Sequence, residues 1–250
     1  MEQGRPSTLN ESLEAISAAL KSETHVASAG LSNIFPKRTR MPWPESPPHP
    51  LLQSTSTVST MSEFNTIFHD KLMELYSNHV IQGQTIFPGA GYIEMGIAAG
   101  ALMTTKGIEG GVELFDVKFV RPFDLQAGCK MVSNHHFGGG MEFFSESSED
   151  SELTVASIGE INAGLSAPSS TKLLSDLKDS HTQEVANIQD RYARLAEAGY
   201  HRGAFQSIKS VFLSEDGKSA LGRIGLPVDF EHDHDAYYHA HPAVLDGAFS

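Results

Sequence analysis

The chain has 250 residues, 40% apolar and 20% charged, a globular balance that excludes wholesale disorder and fibrous repeats. Eighteen Lys and Arg against 31 Asp and Glu leave a formal charge of -13, which disfavours binding to nucleic acid or to an anionic membrane. The single cysteine, Cys129, excludes an internal disulfide and a Cys-based zinc site. With an N-terminus lacking the apolar core of a secretion signal, and no run near the roughly 18 apolar residues of a membrane span, the expected setting is the reducing cytoplasm.

Taken in chain order, residues 1–48 read as an N-terminal helix and a linker. Leu13, Ile16, Ala19 and Leu20 fall at helical spacing after Asn10 or Ser12 as a cap. Six of the twelve prolines then crowd into residues 36–50, predicting an extended strap. Residues 49–165 read as one α+β unit. Within it, 62–76 fits a strand pair or a helix equally well. Pro88-Gly89-Ala90-Gly91 is a turn, and Tyr92 to Met103 is apolar nearly all round with Glu94 its one charge, as expected of a helix enclosed by protein. Gly96 and Gly100 on that helix would admit close approach of another backbone.

Val112 to Val120 alternates, with Phe115, Val117 and Phe119 on the buried face. Further strands are predicted over 130–135, 141–145 and 153–161, so a sheet curled around the apolar helix is expected. Residues 166–186 are polar and Ser-rich and read as a second linker. The remainder, 187–250, opens on an amphipathic helix ended by Gly199, followed by strands over 207–213 and 219–226 joined at Asp216-Gly217.

Two stretches carry chemistry. In NHVIQGQTIFPGAGYIE, His79 precedes a glycine-rich helix start whose unpaired N–H groups suit a polarised carbonyl oxygen, and a histidine beside such an oxygen can remove the adjacent α proton. In HAHPAVLDGAF, Asp246 stands in an apolar setting that would raise its pKa and let it act as a general acid. Taken alone, Asp246 reads more simply as a helix N-cap and His79 as an ordinary surface or core histidine. Glu94 is a second acid to weigh, read as a supporting or packing residue. Glu231, His232, Asp233, His234, Asp235, His239 and His241 crowd into eleven residues, and His232 and His234 would share a strand face. Their acidic neighbours read as a solvated loop, so no metal is expected.

HVIQGQTIFPGAGYIE fits HxxxGxxxxPGxGYxE and HPAVLDGAF fits HPxxLDxxx; in that order they resemble the dehydratase domain of a polyketide synthase. FPKRTRMPW, His49-Pro50-Leu51-Leu52, VELFDVKFVRPFDL and YARLAEAGYHRGAFQSIKSVF agree in order with other parts of that domain. The resemblance covers roughly residues 35 to 250 and implies a double hotdog, two helix-in-sheet units with the site between them. It implies His79 as the base and Asp246 as the acid that remove water from a β-hydroxyacyl thioester. The substrate would be presented on the phosphopantetheine arm of an acyl carrier protein, with no cofactor bound by the domain itself. Gly83, Pro88, Gly89, Tyr92, Phe205, His241 and Ser250 are then expected to contact substrate, with the Gly89 N–H as donor to the thioester carbonyl. Expected partners are the carrier protein, the other domains of a synthase and, since such dehydratases often pair, a second copy of the chain.

Three departures qualify the resemblance. Ser250 stands where the family commonly has Gln or His. His201-Arg202-Gly203 replaces Tyr-Gly-Pro. The second hotdog is expected to be incomplete, since the sequence stops in an apolar, pre-helical segment. A product-template cyclisation domain and an inactive structural fragment are the alternative readings.

Overall fold

A computed structural model of the chain describes residues 49–58, 60–103, 111–146, 153–163, 174–200, 203–226 and 238–249. The expected N-terminal helix and strap, His201-Arg202, residues 231–235 and Ser250 lie outside the described residues.

The first half runs β1 (Ser54–Val58), β2 (Met61–Ile67), α1 (Asp70–Tyr76), β3 (Val80–Ile81), β4 (Gln84–Thr85), α2 (Gly89–Met103), β5 (Val112–Phe119), β6 (Lys130–His136), β7 (Gly140–Glu146) and β8 (Leu153–Ala163). The ambiguous stretch 62–76 divides: alternating burial continues the strand to Ile67, and Leu72, Leu75 and Tyr76 then supply a helical apolar face. The long strands form one antiparallel sheet in the order β1-β2-β6-β7-β8-β5.

Helix α2 packs along that sheet with ten of its 15 residues buried. Its small residues set the distance of approach. A Cβ on Gly100 would come within 2.7 Å of Val112, and one on Gly96 within 3.2 Å of Leu114 and of the Met141 sulfur. The close approach expected at these glycines is therefore met by sheet side chains rather than by backbone.

Strand β5 corrects one expectation. Leu114, Val117 and Phe119 pack on the core, while Phe115 does not share their face. A bulge between Phe115 and Lys118, with Asp116 at φ 48°, inserts a residue and breaks the strict alternation.

The second half contains α3 (Leu174–Ser180), β9 (His181–Glu184), α4 (Ile188–Glu197), a 3-10 turn (Gly203–Phe205), β10 (Ile208–Ser214), β11 (Ala220–Ile224) and α5 (Pro242–Phe249). Its sheet has the order β11-β10-β9. The predicted linker 166–186 thus includes a helix and a strand. Polar HTQE pairs with β10 (Leu213 opposite Gln183) as an edge strand, where backbone hydrogen bonds rather than apolar burial hold it. Leu51, Phe68, Tyr76, Phe87, Tyr92 and Met95 from the first half form one continuous apolar cluster with Phe205, Leu226, Tyr238 and Ala243 from the second.

One buried polar group lies apart from that cluster's chemistry. His135 on β6 is fully buried between Phe64 and Phe143, at centroid separations of 5.5 and 5.7 Å, and neither ring nitrogen has a hydrogen-bond partner among the described residues. Burial, reinforced by neighbouring His136, pushes its pKa down from 6.5 to about 3. The unfolded chain therefore takes up a proton that the fold refuses, so stability present above pH 6.5 is lost as the pH falls below it. His135→Phe should remove about 2 kcal/mol of the stability loss between pH 7 and pH 5. Urea unfolding of both proteins at the two pH values measures this, and equal losses would contradict the assignment.

Candidate active site

His79 sits between α1 and β3, held by its backbone and by its ring. Its N–H donates to the Tyr76 carbonyl at 2.9 Å, and its own carbonyl accepts from the Ile86 N–H at 3.2 Å. The ring Nδ1–H donates to the Ile86 carbonyl at 2.5 Å. A carbonyl can only accept, so Nδ1 carries a proton, and in the neutral imidazole the lone pair lies on Nε2, the nitrogen turned towards Asp246. Between β3 and β4, Gln82 and Gly83 take positive φ values of 51° and 82°, the two-residue turn that matches strand twist. The Gly83 N–H donates to the Gly199 carbonyl at 3.1 Å, so this expected substrate residue joins the hairpin to the second half.

Asp246 lies inside α5. The helix opens with Pro242, and Ala243 N–H donates to Nδ1 of His241 at 3.2 Å, making His241 the cap. The simpler reading of Asp246 as an N-cap is thereby corrected: HPAV starts the helix one turn earlier. A Cβ on Gly247 would lie 1.9 Å from the Ser207 hydroxyl, so any larger residue after the aspartate would require the Ser207 side chain to turn away. Desolvation raises the Asp246 pKa from 3.8 to about 6.

Nε2 of His79 and Oδ1 of Asp246 face each other at 3.9 Å, with the two side chains 6% and 15% exposed. The Phe205 ring meets His79 edge-on at 4.9 Å. Pro88 and Gly89 follow the carbonyl that holds His79, and Gly89 is the first residue of α2, where the N–H groups have no intrahelical partner. Tyr92, expected to touch substrate, is instead 2% exposed with its ring packed on Phe87 and Phe143. The structure therefore brings His79, Asp246 and Phe205 together, with His79 bonded to Ile86 three residues ahead of α2. It sets Gly83 at a joint, His241 at a cap and Tyr92 in the core.

Several contributors carry no motif of their own. Ile86 acts through its backbone carbonyl, which no side-chain pattern reports. Tyr192 is buried, receives the Ile208 N–H at 3.1 Å and feels the charge of Asp246. Glu94, fully buried on α2, accepts from His49 Nε2 at 2.9 Å and from the backbone N–H groups of His239 and Ala240 at 2.5 and 2.8 Å. With those donors on its oxygens it reads as an anchor rather than an acid. Among the described residues no group of three or more His, Cys, Asp or Glu is placed to hold a metal, and no helix is long and apolar enough to cross a membrane.

Two family models match the chain: one described as polyketide synthase dehydratase domain over residues 49–136, and one described as polyketide synthase dehydratase N-terminal domain over residues 170–250. Polyketide synthase PksM of Bacillus subtilis is 29% identical over 213 residues, covering 80% of this chain and 5% of PksM. The compactin nonaketide synthase of Penicillium citrinum is 28% identical over 81% of this chain and 7% of its own length. The chain thus spans about one-twentieth of the curated relatives it matches. Among solved structures, the dehydratase domain from the CurF module of curacin polyketide synthase superposes with a TM-score of 0.67 at 23% identity, covering 80% of this chain and 74% of that one. An inactive CurK dehydratase carrying a His-to-Phe replacement gives a TM-score of 0.66 at 25% identity, over 80% and 73% of the two chains. A second inactive CurK form carries an Asp-to-Asn replacement and gives a TM-score of 0.66 at 24% identity, over the same shares. The fold is the double hotdog, with α2 the enclosed helix of the first unit, and the chain belongs to the polyketide synthase dehydratase family.

Proposed function

We propose that this chain removes water from a β-hydroxyacyl thioester held on the phosphopantetheine arm of an acyl carrier protein, giving the α,β-enoyl thioester. The observation that carries the reading is the facing pair of His79 and Asp246, one from each half, largely shielded from water. Nε2 of His79 takes the α proton, and the electrons left behind form the Cα–Cβ double bond. The Cβ–O bond breaks as Asp246 gives its proton to the departing hydroxyl, and water leaves. The Gly89 N–H at the head of α2 stabilises the negative charge that builds on the thioester oxygen. After release, the imidazolium and the carboxylate face each other at 3.9 Å, and the proton returns to Asp246 once a small movement closes that gap to hydrogen-bond distance or a water relays it. The replaced His and Asp of the inactive CurK dehydratases are the same two residue types, which supports the assignment. The carrier protein and the remaining domains of a synthase are the partners this reaction requires.

The Asp246→Asn variant separates catalysis from folding. Loss of the acid should lower kcat by about a thousandfold. The same change should stabilise the fold, because a carboxyl whose pKa is raised from 3.8 to about 6 gives stability that is complete below pH 3.8 and lost as the pH rises through 6. Asparagine stays neutral, so unfolding at pH 8 should be up to about 3 kcal/mol harder in the variant, with no difference at pH 3.5. Turnover of a β-hydroxyacyl thioester alongside thermal unfolding reads both effects; a variant both inactive and less stable at pH 8 would contradict the assignment.

The same carboxyl sets a limb of the pH profile. An acid must be protonated, so kcat/KM should fall tenfold per pH unit above about pH 6 in the free enzyme. A rate still rising at pH 8 would exclude Asp246 as the donor.

A further inference from the structure

We infer that Glu94 is a positioning residue, which fixes Asp246 against His79 by anchoring the approach to α5 on the middle of α2. The inference rests on Asp246 being the acid, and its geometry is independent of that reading. Glu94 is 0% exposed, so its carboxylate has exchanged water for protein donors. Those donors come from two distant parts of the chain. Oε1 receives the His49 Nε2–H at 2.9 Å and the His239 N–H at 2.5 Å, and Oε2 receives the Ala240 N–H at 2.8 Å.

The protonation of His49 follows from its neighbours. The Leu51 N–H donates to Nδ1 at 3.1 Å, so Nδ1 carries no proton and Nε2 must carry it. His49 is thereby held as the tautomer that Glu94 needs. The ring of His239 lies parallel to it at 6.0 Å and that of Tyr238 edge-on at 5.4 Å, so the segment 238–240 is gripped by both backbone and rings.

This grip reaches the acid within a few residues. His241 directly follows the anchored Ala240 and caps α5, and its carbonyl accepts the N–H groups of Val244 and Leu245 at 2.9 Å each. Asp246 is the next residue. At the other end, Glu94 stands five residues after Gly89, less than two turns along α2. One rigid helix thus carries the N–H that meets the thioester and the carboxylate that locates the acid. A purely packing role would be met by an uncharged side chain of the same shape. Three donors converging on one carboxylate are not, because in Glu94→Gln the amide NH2 must face at least one of those N–H groups.

The test compares wild type, Glu94→Gln, His49→Phe and His49→Gln in the full chain, the last retaining an N–H near the position of Nε2. Amide hydrogen exchange is read over residues 239–246, and kcat and KM are read with a β-hydroxyacyl thioester. In Glu94→Gln and His49→Phe, residues 239–246 should exchange at least tenfold faster while β6 and β7 keep their protection. In the same variants kcat should fall about thirtyfold with KM within threefold, and His49→Gln should recover most of the loss. Unchanged exchange over 239–246, or kcat within twofold of wild type in Glu94→Gln, would overturn the inference. A wild type without turnover, or an active Asp246→Asn, would instead fell the functional reading and this inference with it.

Discussion

A carboxylate removed from water is destabilising unless donors replace the lost hydration, and in this fold Glu94 is such a group. Its donors are what join the parts of the molecule. His49 belongs to the opening segment before β1, His239 and Ala240 to the approach to α5, and Glu94 itself to the helix enclosed by the first sheet. The apolar cluster that runs from Leu51 through Tyr76 and Phe87 to Phe205 and Ala243 brings the halves together, without dictating how they are rotated about one another. Directed bonds to a buried charge supply that orientation. The Gly83–Gly199 bond repeats the principle at the hairpin tip, where a backbone pair rather than a charge locks the halves.

Three of the buried histidines, His49, His79 and His135, show how local donors and acceptors divide one side chain among different tasks. His49 accepts on Nδ1 and therefore donates from Nε2. His79 donates from Nδ1, so in its neutral form the lone pair lies on Nε2. His135 meets only aromatic faces and stays neutral far below the usual range. A protonated His49 would lose the Leu51 bond, and a His79 of the opposite tautomer would lose Ile86 and turn an N–H towards Asp246. The backbone around each ring, not the ring itself, decides its chemistry.

The readable parts of the sequence were those where side-chain character repeats at a structural period. An apolar run with one charge announced α2, and the alternation over 112–120 announced a strand, β5, because burial on one face selects apolar residues there. The pairing of His79 with Asp246 was legible through PGAGYIE and HPAVLDGAF, which mark two helix starts, and through resemblance rather than periodicity. What was illegible depends on backbone. Strand β9 is polar and held by ladder bonds, the bulge at Asp116 shifts a register without altering composition, and Ile86 orients His79 through a carbonyl that every residue possesses. Glu94 was visible as a lone charge, but two of its partners are main-chain N–H groups about 145 positions away, for which no residue type is a signal.

On the proposed function, catalysis and stability pull in opposite directions at Asp246. The apolar surroundings that keep it protonated near pH 6 are the same ones that make its ionised form unfavourable in the fold. A group under such stress would be relieved by any motion of α5 that admitted water, so the helix has to be held from outside. Ser207 presses on Gly247 from one side, the His241 cap fixes the first turn, and the Glu94 anchor holds the segment leading into it. None of these contacts touches the carboxyl, yet each resists the displacement that would return its pKa to that of an exposed aspartate. On the proposed reading, the carboxyl is kept protonated by the rigidity of what surrounds it, and the Glu94 anchor on the neighbouring helix contributes to that rigidity.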